Sequence, residues 1–161
     1  MSKNGDAAAS AQQETGRTQA KIGLGELESH LGYFVRRVQH WIFRDVNATL
    51  ADIDLDVIRY SILETIAANG GITQVAAAGA LGIERARMVG LLDDLQRAGV
   101  IVRQRSELDR RAHALQLTPR GRVTLKKANA LVAAHEKRVE RRLGADNYRR
   151  ALSALARFNQ D

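Results

Sequence analysis

The fold is decided by residues 73–121, which have the sequence TQVAAAGALGIERARMVGLLDDLQRAGVIVRQRSELDRRAHALQLTPRG. At its start, Thr73 is placed to cap a short alanine-rich helix, because its hydroxyl oxygen can accept a hydrogen bond from a free backbone amide. Gly82 then supplies a tight turn, and a helical pattern follows over 84–98. After Gly99 the pattern changes from helical to extended. The stretch therefore predicts two short helices followed by two strands.

The extended part of this stretch has the features of a β-hairpin. Val100 to Val102 form an apolar run, a charged segment follows, and Leu115 and Leu117 then alternate with polar residues, which predicts two strands joined by a charged loop. Proline after Thr118 marks the next helix start, because proline at the first helical position loses no hydrogen bond. Helix, turn, helix and hairpin in this order predict a mainly α fold, a winged helix-turn-helix with a two-stranded β wing.

Helical patterns also flank the central stretch on both sides. From Leu27 to Val46, apolar residues recur every three or four positions, the spacing of one helix face. Asp56 can cap a second helix. After the hairpin, a fifth helix extends to about Leu143, and Asp146 can start a last one. These patterns predict long helices near both chain ends.

The patterns divide the chain into four parts. Residues 1–22 lack an apolar period, which favours a flexible tail. The other three parts are an N-terminal helix with a dimerisation and ligand region (23–55), a winged helix-turn-helix lobe (56–118) and C-terminal dimerisation helices (119–161).

Charge is distributed unevenly along the 161 residues, which contain 25 Lys and Arg against 18 Asp and Glu. The segment from Arg97 to Lys127 contains nine basic and two acidic residues, and the rest of the chain has equal numbers of each sign. Such a concentration is typical of a protein that binds a polyanion, although a solvated basic face has the same composition. Double-stranded DNA is the polyanion that the predicted fold favours.

Composition excludes several other classes. The chain has no cysteine, which excludes a disulfide scaffold, a thiolate zinc finger and an iron-sulfur centre. No stretch approaches the roughly 18 apolar residues of a membrane span, and the N-terminus lacks the apolar core of a secretory signal. We therefore expect a cytoplasmic protein without a membrane partner.

The second motif helix is the predicted DNA-recognition helix. An α-helix fits the major groove with its N-terminal side chains near base edges, where arginine can make paired hydrogen bonds to guanine. The apolar positions that should face inward are Met88, Leu91, Leu92 and Leu95. The positions left for the groove are Arg85, Ala86, Arg87 and Val89. The alternative is that these arginines are only solvated.

The sequence resembles the MarR family of bacterial transcriptional regulators. The resemblance covers roughly residues 27–161. It is carried by Leu81-Gly82-Ile83, by Leu91, Leu92, Asp93 and Leu95, by Gly99-Val100-Ile101-Val102-Arg103, by Asp109-Arg110-Arg111, and by Leu117-Thr118-Pro119-Arg120-Gly121. It implies a two-fold dimer, built from the helices near both chain ends, that places two recognition helices on a palindromic operator.

The resemblance also implies DNA-contacting residues in the wing. In the family, the aspartate at the position of Asp109 orients an arginine, here Arg111, into the minor groove. The alternative is that this pair only holds the hairpin together. The full set of expected wing contacts is Arg105, Asp109, Arg110 and Arg111. Gln74 of the first motif helix is a candidate for a phosphate contact, and the alternative is that it is only a solvated residue of the first turn.

This chain departs from the family pattern on the recognition helix. Many members have small hydroxyl residues at the positions of Ala86 and Arg87, and a basic residue at the position of Gly90. The groove chemistry must therefore differ, and the operator sequence cannot be deduced from the family.

A small-molecule effector is implied by the family, whose effectors are often phenolic or aromatic carboxylates or, in some branches, CoA thioesters of hydroxycinnamates or benzoates. The first helix offers cations and an aromatic ring for such an anion. The predicted ligand residues are Arg36, Arg37, His40, Trp41 and Arg44. In the alternative interpretation, Trp41 packs in the core and the arginines pair with Asp45 or Glu64.

Other chemistry has little support in the sequence. The four histidines (His30, His40, His113 and His135) are never spaced for a zinc site on one helix, although their spacing does not exclude one assembled across helices. No phosphate loop, nucleophile elbow or metalloprotease motif is present. We therefore predict no metal, no cofactor and no enzymatic activity. The main hypothesis is a repressor released by a small aromatic anion. The alternatives are a DNA-binding or architectural protein without an effector, and an enzyme whose basic face binds an acidic substrate.

Overall fold

The computed structural model describes residues 22–105 and 113–159. The helices are α1 (Leu31–Leu50), α2 (Val57–Ala68), α3 (Gln74–Ala80), α4 (Arg85–Arg97), α5 (Pro119–Leu143) and α6 (Ala145–Ala156), the strands are β1 (Ile101–Arg105) and β2 (His113–Leu117), and 3₁₀ helices lie at Gly25–Ser29, Ala51–Ile53 and Arg157–Asn159. This order confirms the mainly α, winged helix-turn-helix prediction. No helix in the described ranges is long and apolar enough to cross a membrane.

Contacts divide the chain into two compact units, which meet at Val35 in the sequence. The described part of the first unit contains the 3₁₀ helix Gly25–Ser29 and the first residues of α1. The prediction of a helix from Leu27 is wrong, because His30 adopts an extended conformation (φ −93°, ψ 120°). The hydroxyl of Ser29 donates to the carbonyl of Glu26 (2.8 Å), one of the local side-chain bonds that compete with a continuous helix.

The second unit contains the main hydrophobic core. On α4, Met88, Leu92 and Leu95 are buried, as their spacing along one helix face predicts. Leu91 is partly buried against the same core, so the predicted inward face of α4 is confirmed. The largest buried apolar side chains of this unit are Leu50, Ile62, Leu63, Ile66, Met88, Leu92, Leu95, Ile101 and Leu115.

Three helix starts have the capping side chains that the sequence predicts. A carboxylate oxygen of Asp56 accepts from the amide of Arg59 (2.7 Å). The hydroxyl oxygen of Thr73 accepts from the amide of Ala76 (3.2 Å), and that of Thr118 accepts from the amide of Gly121 (2.9 Å). Each cap satisfies one backbone amide that has no partner within its helix.

The wing is an antiparallel pair in which Ile101 lies opposite Leu117 and Arg105 opposite His113. The amide of Leu115 donates to the carbonyl of Ile72 (2.9 Å), so β2 is also bonded to the segment that precedes α3. The backbone of both strands is thereby held against the helix-turn-helix.

Candidate nucleic-acid interface and effector region

The start of α4 is exposed. Arg85, Ala86, Arg87 and Val89 are all solvent-accessible, on the side of the helix opposite Met88 and the other buried side chains. Neither Arg85 nor Arg87 forms an ion pair with another described residue. Both guanidinium groups are therefore available to an external anion.

The wing is fixed to α4 by an ion pair that the sequence analysis missed. Nη1 of Arg103, on β1, lies 2.6 Å from Oδ1 of Asp93 on α4. It also donates to the side-chain oxygen of Gln96 (3.1 Å). Arg103 belongs to the basic segment 97–127, so one positive charge of that segment pairs with a carboxylate of the same chain. This ion pair positions β1 relative to the recognition helix.

A second ionic network joins α2 to α4. Nη2 of Arg59 lies 2.6 Å from Oδ2 of Asp94, and Nη1 of the same side chain contacts Asp56. Asp94 is also paired with Arg97. The adjacent residues Asp93 and Asp94 therefore orient α4 relative to two different elements.

The remaining predicted DNA contacts are located only in part. Gln74 is the first residue of α3 and is half-buried. Arg105 is the last residue of β1. Asp109, Arg110 and Arg111 lie outside the described residues.

The predicted ligand residues extend along α1. Arg36, Arg37, His40 and Arg44 are exposed, and Trp41 is half-buried. The indole ring of Trp41 is roughly parallel to the imidazole of His135 on α5, with centroids 6.4 Å apart and an angle of 29° between the planes. The guanidinium carbon of Arg142, also on α5, lies 5.1 Å from the centroid of the Trp41 ring. The structure therefore adds residues of α5 to a region that the sequence assigned to α1 alone.

Asp45 is the main link between α1 and α5. Its Oδ2 lies 2.6 Å from Nδ1 of His135 and accepts from Nη2 of Arg138 (2.7 Å). Arg138 also donates to the hydroxyl of Thr49 (2.6 Å). The hydrogen bond from His135, followed by that from Arg138, lowers the pKa of Asp45 below its ordinary value. The carboxylate is therefore ionised at neutral pH.

Asp45 and Glu64 are the residues with which the arginines of α1 pair in the alternative interpretation. In the described ranges, the carboxylate of Asp45 is bonded to side chains of α5, and Glu64 accepts from the hydroxyl of Tyr60 (3.5 Å). The sequence analysis missed the pairing of Asp45 with α5, although His135 falls among the buried apolar positions of that helix. A titratable side chain in an apolar stripe was the available signal, because a buried polar group requires a partner.

The lowered pKa of Asp45 gives a pH-dependent prediction. Ionised Asp45 stabilises the folded state above the ordinary carboxyl pKa of 3.8, and this contribution is lost as the pH falls through the lower folded pKa. In Asp45→Asn the amide oxygen still accepts hydrogen bonds but does not titrate. We expect its free energy of unfolding, measured by urea denaturation, to fall less steeply below about pH 5 than that of the wild type.

A matched control is Asp146→Asn, because Asp146 pairs with Arg149 on α6 but its side chain is 82% exposed, so that solvent screens the pair. Its pH profile should parallel that of the wild type. Parallel profiles for the wild type and Asp45→Asn would show that ionisation of Asp45 does not stabilise the fold.

An exposed helix start with two arginines, held beside a β-hairpin, defines a winged helix-turn-helix protein of the DNA-binding class. The sequence profile described as the MarR family matches residues 53–112. The protein proposed as the transcriptional regulator of the hcr operon in Thauera aromatica is 31% identical over 145 residues, which are 88% of this chain and 87% of that protein. The chain belongs to the MarR family of transcriptional regulators.

Solved structures of the transcriptional repressor CouR are also similar. CouR bound to a 23-mer DNA duplex has a TM-score of 0.84 and 41% sequence identity, with 88% of this chain and all of that chain covered. CouR bound to p-coumaroyl-CoA has a TM-score of 0.80 and 39% identity, with 88% and 99% covered. These likenesses extend well beyond the winged helix-turn-helix lobe.

Proposed function

We propose that the chain is a ligand-responsive repressor that is released from a palindromic operator when an aromatic acyl-CoA binds. The observation that carries the proposal is the exposed start of α4, which the Arg103–Asp93 ion pair holds in a fixed position relative to the wing. CouR was solved with DNA in one structure and with p-coumaroyl-CoA in another, and the similarity to it supports a DNA-bound state and an effector-bound state of this chain. The protein acts beside the chromosome in the cytoplasm and catalyses no reaction.

In the DNA-bound state, the start of α4 enters the major groove. Arg85 and Arg87 contact base edges or phosphates there, and Ala86 and Val89 contact the groove through apolar atoms. Gln74 at the start of α3 contacts a phosphate. The wing residues Arg105 and Asp109 to Arg111 lie along the adjacent minor groove, whose negative potential attracts guanidinium groups.

A homodimer has two copies of α4 related by a two-fold axis, and this symmetry matches that of a palindromic operator. Large apolar side chains are exposed on helices near both chain ends, which a lone globular chain would leave in water at a cost. They include Leu31, Phe34 and Val38 of α1, Leu152 and Leu155 of α6, and Phe158. A second copy of the chain that covers these helices would place two copies of α4 on successive turns of DNA.

The effector binds beside Trp41. Arg36, Arg37 and Arg44 supply positive charge along α1, His40 offers an imidazole for hydrogen bonding, and Arg142 adds a cation from α5. A CoA thioester carries phosphates suited to these cations and an apolar acyl group suited to the indole face.

The wing arginine provides a test of DNA binding. We expect Arg111→Ala to weaken binding by about 1 to 3 kcal/mol, roughly 5- to 150-fold, because it removes both a phosphate-range charge and a minor-groove contact. The dissociation constant is measured at fixed salt on a duplex that the wild-type protein has enriched from a random 23-base-pair pool.

The control is Lys137→Ala, which removes the same charge from an exposed position on α5. It should bind within about twofold of the wild type, since exposed charges far from the DNA are screened. If Arg111→Ala melts normally and binds as well as Lys137→Ala, the wing does not contribute to DNA recognition.

A further inference from the structure

His135 is buried in a way that the fold alone does not explain. Its side chain is only 1% exposed, and Nδ1 is bonded to Asp45 (2.6 Å). Its other ring nitrogen, Nε2, has no hydrogen-bond partner among the described residues. Buried ring nitrogens in proteins almost always have a partner, and one without a partner is costly. Nε2 is therefore a place where a bound molecule would improve the energy of the protein.

The contacts of Nδ1 determine which kind of partner Nε2 needs. Asp45 is ionised and acts only as an acceptor, so it fixes the imidazole proton on Nδ1. Arg138 already pairs with the same carboxylate oxygen, so its charge is balanced without a second cation. With its proton on Nδ1, a neutral imidazole has on Nε2 a lone pair that is directed away from Asp45 and needs a hydrogen-bond donor.

This requirement selects one part of an aromatic acyl-CoA. The thioester carbonyl and the ionised phosphates only accept hydrogen bonds, whereas a phenolic hydroxyl on the aryl ring donates one. The amides, hydroxyls and adenine of CoA also donate, but they lie on the other side of the thioester from the aryl ring, toward the phosphates that suit the exposed arginines of α1. The buried neighbourhood of His135, with the Trp41 ring roughly parallel to it, suits an aryl group.

We propose that His135 is a specificity-determining residue of the effector site, in which Nε2 accepts a hydrogen bond from a phenolic hydroxyl on the acyl group. The inference rests on the proposed function and adds a hydroxylated aryl ring to its effector. Because His135 is closed to solvent, a neighbouring side chain must move to admit the ring. Trp41 is the expected one, since it is half-buried and its ring lies roughly parallel to the imidazole, with centroids 6.4 Å apart.

The experiment compares two thioesters that differ only in the hydroxyl group, p-coumaroyl-CoA and cinnamoyl-CoA. Isothermal titration calorimetry on the wild-type protein should give a dissociation constant about tenfold lower for p-coumaroyl-CoA, the size expected for one hydrogen bond. In parallel, ¹⁵N NMR should show a large change in the Nε2 resonance of His135 with p-coumaroyl-CoA and a much smaller one with cinnamoyl-CoA, which cannot donate a hydrogen bond to Nε2.

Two variants separate recognition from a structural role. In His135→Asn, the side-chain amide can still donate to Asp45, but no atom remains at the position of Nε2. We expect its two dissociation constants to become equal, with that for cinnamoyl-CoA unchanged. In His135→Gln, the amide lies near the position of Nε2 and should restore part of the preference. Thermal melting checks that each variant is folded, and the NMR result on the wild type stands if either is not.

The outcomes that overturn the two proposals differ. Equal affinity of the wild type for both thioesters overturns the role of His135 and leaves the proposed function intact. A preference that persists in His135→Asn, with both constants shifted by the same factor, shows that His135 is only structural. If neither thioester binds the wild type, the proposed function itself is wrong.

Discussion

Gly121→Ala is expected to lower the free energy of unfolding by about 3 kcal/mol or more, at the upper end of the cost of overpacking. Gly121 lies in the first turn of α5, where this helix begins against the wing. A Cβ atom at this position would lie 1.9 Å from the carbonyl oxygen of Val100. The clash is with backbone, which cannot rotate away as a flexible side chain can. The same carbonyl accepts from the amide of Thr118 (3.1 Å), so any shift also disturbs the helix cap.

The measurement is urea denaturation of Gly121→Ala beside Gly90→Ala. Gly90 is also helical and exposed, and a Cβ atom there would meet no atom within 4 Å. Gly90→Ala should therefore raise the free energy of unfolding by about 0.5 to 1 kcal/mol, because alanine has less backbone entropy to lose. Similar small effects of both substitutions would contradict the close contact between α5 and Val100, the residue before β1.

The elements that the sequence predicted well are those whose signals are local. Thr73, Asp56 and Thr118 each cap a helix by accepting from a backbone amide three positions away. The buried face of α4 follows from the spacing of Met88, Leu92 and Leu95. Such signals depend on a few neighbouring residues, so they can be recognised without knowledge of the tertiary structure.

The parts that could not be predicted depend on residues far apart in the chain. Asp45 and His135 are separated by 90 positions. The residue pattern of α1 does not show that it contacts α5, and the pattern of α5 does not show that it contacts α1. Arg103 was treated as part of a basic surface, although its guanidinium pairs with Asp93. The start of α1 was predicted wrongly because the helical spacing of apolar residues extends back to Leu27, whereas the α-helical backbone begins only at Leu31.

The second large effect is expected on DNA affinity. Suppose that the effector binds about 100-fold more tightly to the conformation in which the two copies of α4 are misplaced for DNA. Saturation with the effector then weakens DNA binding by the same factor, roughly 2.7 kcal/mol. An effector with equal affinity for both conformations would leave the affinity for DNA unchanged. The link between α1 and α5 through Asp45, His135 and Arg138 lies beside Trp41, so a ligand there acts on the contact between these helices.

Arg36→Ala and Arg37→Ala should each reduce the loss of DNA affinity that the effector causes, because each substitution weakens effector binding.

The most direct test of the account is the fluorescence anisotropy of a labelled duplex, enriched by the wild-type protein from a random 23-base-pair pool, titrated with protein at fixed salt. The titration is repeated with saturating p-coumaroyl-CoA and, as a control, with free CoA. The account predicts an approximately 100-fold rise in the dissociation constant with the thioester and less than a twofold change with free CoA. A dissociation constant that is unchanged by saturating p-coumaroyl-CoA would contradict the account and favour a DNA-binding protein without a small-molecule effector.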